Sequence, residues 1–102
     1  MLETEPMRPS EALIAHRDEL RRLINRYGLM HPRVFGSVVG GTDDDESDLD
    51  LLVEPNNSTS LFTLASLKND AEQLLGVSVS VLTPGGLPPK FRKEVLQRAQ
   101  PL

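Results

Sequence analysis

Apolar positions along the chain follow two rhythms. From Ser10 to Tyr27 the spacing is helical: Leu13, Leu20, Ile24 and Tyr27 are separated by sevens, fours and threes, and Ile14 and Leu23 widen the stripe. With Ser10 as N-cap and Gly28 as stop, this predicts an amphipathic helix of about 17 residues. Its polar side holds Arg17, Arg21, Arg22 and Arg26 with Asp18 and Glu19 interleaved, a solvated face with local ion pairs, and His16 reads as a surface imidazole. Residues 1–9 read as a flexible tail ahead of a single domain over residues 10–102. Beyond Gly28 the rhythm changes. His31-Pro32 reads as a loop and Val34-Phe35 as a short buried strand ended by Gly36. "LDLLVE" from Leu49 is a second strand, in which alternation puts Asp48 and Asp50 on one face and Leu49, Leu51 and Val53 on the other. After the turn residues "EPNNS", a helix runs from about Ser60 to Gly76 with Leu61, Leu64, Ala65, Leu74 and Leu75 on its apolar side. "VSVSVL" alternates strictly, with Val77, Val79 and Val81 inward and Ser78 and Ser80 on the polar face. Residues 83–86 break that strand, and Pro88-Pro89 opens a last helix with Phe91, Val95 and Ala99 on one side. The order helix, strand, turn, strand, helix, strand, helix predicts a small α/β domain.

Charge sharpens this picture. The net charge is −4, yet six of the 15 acidic residues fall between Asp43 and Asp50, leaving nine against 11 Lys and Arg elsewhere. Carboxylates at that density repel one another unless solvent or a cation compensates, so the stretch is a hydrated loop or a metal site. A focused acidic cluster on a slightly basic body points to the second. The chain has no cysteine, which excludes disulfides, zinc–thiolate sites and thiol catalysis. With no apolar run near the roughly 20 residues of a membrane span and no leader pattern at the start, a soluble cytoplasmic protein is expected. Sequence-specific DNA binding lacks a helix-turn-helix spacing or a strongly basic recognition helix.

The candidate chemistry lies in "GSVVGGTDDDESDLD", residues 36–50. A helical turn starting at Gly36-Ser37 would aim backbone N–H groups and the Ser37 hydroxyl at one point, which suits a phosphate. Asp48 and Asp50, on one strand face with side-chain origins about 7 Å apart, could bind one Mg²⁺ or bracket two at about 3.5–4 Å. Asp43, Asp44, Asp45 and Glu46 read as loop residues rather than ligands. The basic residues Lys90, Arg92, Lys93 and Arg98 read as a solvated helix face, with Lys90 or Arg92 as candidates for a phosphate contact. His31 has no second histidine nearby in sequence and forms no ligand cluster.

"FGSVVGGTDDDESDLDLLVE" resembles the G-S-x10-D-x-D signature of the DNA polymerase beta-like nucleotidyltransferases. The short length resembles their minimal nucleotidyltransferase (MNT) branch, and the likeness extends over nearly the whole chain. The resemblance implies a small mixed sheet flanked by helices, Mg²⁺-ATP as donor, and transfer of a nucleoside monophosphate to a hydroxyl with release of pyrophosphate. It implies that Gly36 and Ser37 hold the β and γ phosphates and that Asp48 and Asp50 ligate the metals. It also implies an antitoxin partnered with a HEPN-type ribonuclease toxin, in some cases by adenylylating a tyrosine.

Two positions depart from that family pattern. Ser80 stands where members usually carry a third carboxylate, and Gly40 where an arginine often follows the signature glycine by four residues. A substitute acid would have to come from the 43–46 loop or a partner, because Glu54 lies roughly 13 Å along the strand from Asp50. Two readings stay open: an enzyme transferring AMP to a partner hydroxyl, and a weakened binding module of the same fold that neutralises its partner by complex formation. Exposed strand edges and apolar helix stripes in so short a chain suit association with a partner or an oligomer.

Overall fold

A four-stranded sheet in the order β3-β2-β1-β4 organises the chain. The structure, a computed structural model, describes residues 8–102; of the tail expected over residues 1–9, residues 1–7 lie outside the described residues, and Arg8 and Pro9 belong to the start of α1. The elements are α1 (Pro9–Arg26), β1 (Met30–Phe35), α2 (Ser37–Gly40), β2 (Leu49–Glu54), α3 (Leu61–Leu75), β3 (Val79–Leu82), a 3₁₀ turn (Pro84–Gly86), α4 (Pro89–Arg98) and β4 (Gln100–Pro101). β1 pairs antiparallel with both β2 and β4, whereas β2 and β3 run parallel, so the sheet is mixed. The parallel pair is joined through α3, as a crossover requires.

One sheet face carries the core. Leu49, Leu51 and Val53 are fully buried with Val34 and Val79, and they pack against Leu13, Leu20 and Ile24 of α1 and Leu67, Ala71 and Leu75 of α3. The opposite face is thinner: Leu52 and Leu87 are buried there, and the 3₁₀ turn packs against β2. This asymmetry leaves the Asp50 face open beside α4. Among the described residues no helix is long and apolar enough to cross a membrane.

Several local expectations change. α1 begins two residues early, at Pro9 with Arg8 as N-cap, and Pro9 suits the first helical position because its missing N–H has no intrahelical partner there. Ser10 is therefore not the cap; its N–H is taken by a distant carboxylate, described below. Ile14 is 77% exposed, because it lies about 100° around the helix from Leu13 on the side away from Leu23. In α3 the buried seam runs through Leu67 and Ala71, leaving Leu61 84% exposed. His31-Pro32 is not a loop: β1 starts at Met30 and absorbs His31, at φ 49°, as an irregularity in its pairing with β2. His31 Nδ1 lies 3.0 Å from Glu54 Oε2, which also accepts from Arg33 Nη2 at 3.0 Å. Glu54 is thus committed at the far end of β2. The chain after α4 adds a short strand on the free edge of β1 rather than continuing the helix.

Candidate active site

Strand register decides which side chains meet. Asp50 stands directly opposite Phe35 on one side and Ser80 on the other, so all three share the open face. Gly36 follows Phe35 and turns the chain at φ 76° into α2. The turn brings its Cα against Asp50: a Cβ at residue 36 would collide with the Asp50 carboxylate, 3.2 Å from its carboxyl carbon. Asp50 and the Gly36-Ser37 turn are therefore adjacent, as the strand-turn-strand pattern predicts. Asp48 precedes β2 and is exposed. Burial first, and then the negative charge of Asp48, raise the Asp50 pKa above the ordinary carboxylate value. Two carboxylates thus share one region with like-charge strain that a cation would relieve.

The donor set fits an open cation site. Among the described residues, no three His, Asp or Glu side chains converge into a closed cage. Two aspartates with open flanks match magnesium, which keeps water and substrate phosphates among its ligands. Ser80, in register with Asp50, is where a third carboxylate would have to stand.

The rest of the acidic cluster has structural work. Asp43 is only 8% exposed and accepts the Ser10 N–H at 2.9 Å, so a side chain from the 41–48 loop satisfies a free donor at the start of α1. Asp44 folds the loop on itself: its Oδ1 accepts from the Glu46 N–H at 2.9 Å and from the Ser47 hydroxyl at 3.1 Å. Asp43, expected as a hydrated loop residue, is instead a buried cap. No sequence signal marked it, since its partner is 33 residues away.

Desolvation pushes the Asp43 pKa up, but hydrogen bonds from Ser10 and the Arg8 charge outweigh it and hold it below the ordinary value. Its stabilisation is therefore full above the unfolded pKa of about 3.9 and is lost as pH falls through the lower folded value. Asp43→Ala is expected to cost about 1–2 kcal/mol at pH 7. Urea denaturation checks this: the gap to wild type should close on acidification, and a gap constant with pH would refute the cap.

A cleft of about 680 Å³ opens on the other side of Gly36 and Ser37, between α2 and α4. Phe91, Glu94, Val95 and Arg98, spaced along one face of α4, form its far wall. The candidates Lys90 and Arg92 are placed elsewhere. Arg92 Nη2 donates to the carbonyl oxygens of Gly85 and Leu87, and Lys90 lies over the Phe91 ring. The basic residue that reaches the cleft is Arg98, which sequence reasoning grouped with the solvated face.

A family model describing the nucleotidyltransferase domain matches residues 14–102. The chain belongs to the nucleotidyltransferase domain family. Among curated relatives of this nucleotidyltransferase, the protein adenylyltransferase MntA of Thermococcus cleftensis is 36% identical over 83% of this chain and 83% of its own length. A protein of Methanocaldococcus jannaschii assigned as a protein adenylyltransferase is 32% identical over 76% of this chain and 83% of its own. A solved structure assigned as a minimal nucleotidyltransferase superposes with a TM-score of 0.82 at 43% identity, covering 91% of this chain and 95% of that one. A toxin–antitoxin complex with AMP-PNP contains a chain of the same fold, with a TM-score of 0.72 at 17% identity, covering 82% of this chain and 69% of that one. The mixed sheet with its flanking helices is thus the minimal nucleotidyltransferase fold.

Proposed function

We propose that this nucleotidyltransferase transfers AMP from Mg²⁺-ATP to a hydroxyl of a partner protein, and that the partner is a HEPN-type toxin which it serves as antitoxin. The observation that carries the reading is the Asp50 carboxylate lying against Gly36, with Asp48 beside it. The names of the curated relatives support transfer onto protein. The toxin–antitoxin complexes that share the fold support the pairing.

In this reading Gly36 and Ser37 hold the β and γ phosphates, and Asp48 and Asp50 hold the cation. When bound, that cation neutralises charge on the phosphates as it develops. The acceptor oxygen forms a bond to the α-phosphorus, the bond to the bridging oxygen breaks with its electrons leaving on pyrophosphate, and the acceptor proton passes to solvent. Holding the α-phosphate over Asp48 and Asp50 fixes the line of attack.

Ser80 favours a second reading, a binding module of weakened catalysis. A hydroxyl cannot replace the carboxylate charge that would draw the acceptor proton. Asp43 caps α1 and Glu54 is bound to His31 and Arg33, so neither is free to substitute. Incubation with labelled ATP, Mg²⁺ and the co-encoded toxin tests both. Label on the toxin is expected for the enzyme, and Ser80→Asp is expected to raise the rate by at least about tenfold. Absence of label from wild type, with gain on Ser80→Asp, would favour the binding module; absence from both would refute the transfer.

A further inference from the structure

We infer that Arg98 is the positioning residue that grips the terminal phosphates of the bound nucleoside triphosphate, from α4 rather than from the turn after Gly36. The inference rests on the nucleotidyl transfer proposed above. Gly36, Ser37 and Gly40 form one wall of the cleft that Phe91, Glu94, Val95 and Arg98 close from the other side. A triphosphate whose α-phosphate lies at Asp48 and Asp50 and which then crosses Gly36-Ser37 runs toward that cleft. Its charge exceeds what one divalent ion neutralises, so a cation is required at the far end.

Gly40 supplies none, and the space it leaves is real. A Cβ built there would meet nothing nearer than Thr42 Oγ1 at 3.7 Å, an ordinary contact. Of the other basic side chains on α4, Arg92 donates to backbone carbonyls, and neither Lys90 nor Lys93 lines the cleft. Among the described residues Arg98 pairs with Glu94, which also lines the cleft, at 3.5 Å and with both side chains well exposed. Exposed pairs of this kind contribute little, so the guanidinium is available to an anion. Its planar fork matches two phosphate oxygens at once.

Calorimetric titration of the full chain with ATP and with AMP, both in Mg²⁺, tests the assignment. Arg98→Ala is expected to weaken ATP binding about tenfold, the loss of one charge-assisted contact, and to leave AMP binding unchanged. Gly40→Arg added to Arg98→Ala is expected to restore ATP binding, because it returns a cation to the same cleft from the opposite wall. Unchanged ATP binding would overturn the inference. So would an equal loss for AMP, which would place the base and not the terminal phosphates in the cleft, or a selective loss that Gly40→Arg leaves unrepaired. Failure of wild type to bind ATP at all would overturn the proposed function as well, which separates the two failures.

Discussion

Replacing Asp50 by Asn is expected to reduce AMP transfer by about 10³-fold or more while leaving the fold no less stable. The two effects have one cause. Asp50 is pushed toward its protonated form by burial and by Asp48. Its folded-state pKa is raised, so its favourable contribution to stability is full only below the unfolded value of about 3.9 and is lost as pH rises through the folded value. At neutral pH the ionised carboxylate is therefore a cost to the fold. Asn removes that charge at nearly the same volume. In the absence of divalent cation, Asp50→Asn should melt at or above wild type in a calorimetric scan. Mg²⁺ with a non-hydrolysable ATP analogue should raise the wild-type melting temperature and leave that of the variant unmoved. Transfer by wild type should decline as pH falls toward the raised pKa, because a protonated carboxyl no longer holds a cation. A variant that retains transfer, or that melts well below wild type, would remove Asp50 from the role assigned to it.

Gly36→Ala should damage both activity and stability. The residue sits at φ 76°, where an L side chain is strained, and its Cβ would strike the Asp50 carboxylate. Displacing that carboxylate by an ångström is expected to lower transfer about 10²-fold. The backbone strain should cost about 1–3 kcal/mol, and each kcal/mol lowers the melting temperature of a domain this size by about 4–8 °C. Gly41 is the control. It has φ 71° and nothing within 4 Å of a built Cβ, so Gly41→Ala meets strain without collision. It should lose stability and keep its transfer rate per folded molecule. Equal losses of rate in the two variants would show that turn strain, and not the approach to Asp50, is what matters.

Local pattern carried much of the fold and the central pair of the site. The strand periods of "LDLLVE" and "VSVSVL" told which side chains face the core, because alternation across a strand is a property of the backbone alone. That is why the face shared by Asp50 and Ser80 was legible from residue spacing. Helix faces were less secure. Ile14 and Leu61 fit an apolar stripe by spacing but lie outside the contact arc, since which part of a stripe is buried depends on how the helix is rolled against the sheet.

The sequence by itself determined the residues on offer: a glycine-serine turn after one strand, two alternate aspartates opening the next, Ser80 on the strand after that, and Gly40 after the turn. Only the tertiary structure decided where distant segments meet. It placed Asp43 on the start of α1, committed Glu54 to His31 and Arg33, and brought Arg98 into the cleft that Gly40 lines. The physical reason is that dihedral preferences and periodicity act over a few residues. Contacts between remote segments depend on packing the whole core, which no local spacing encodes.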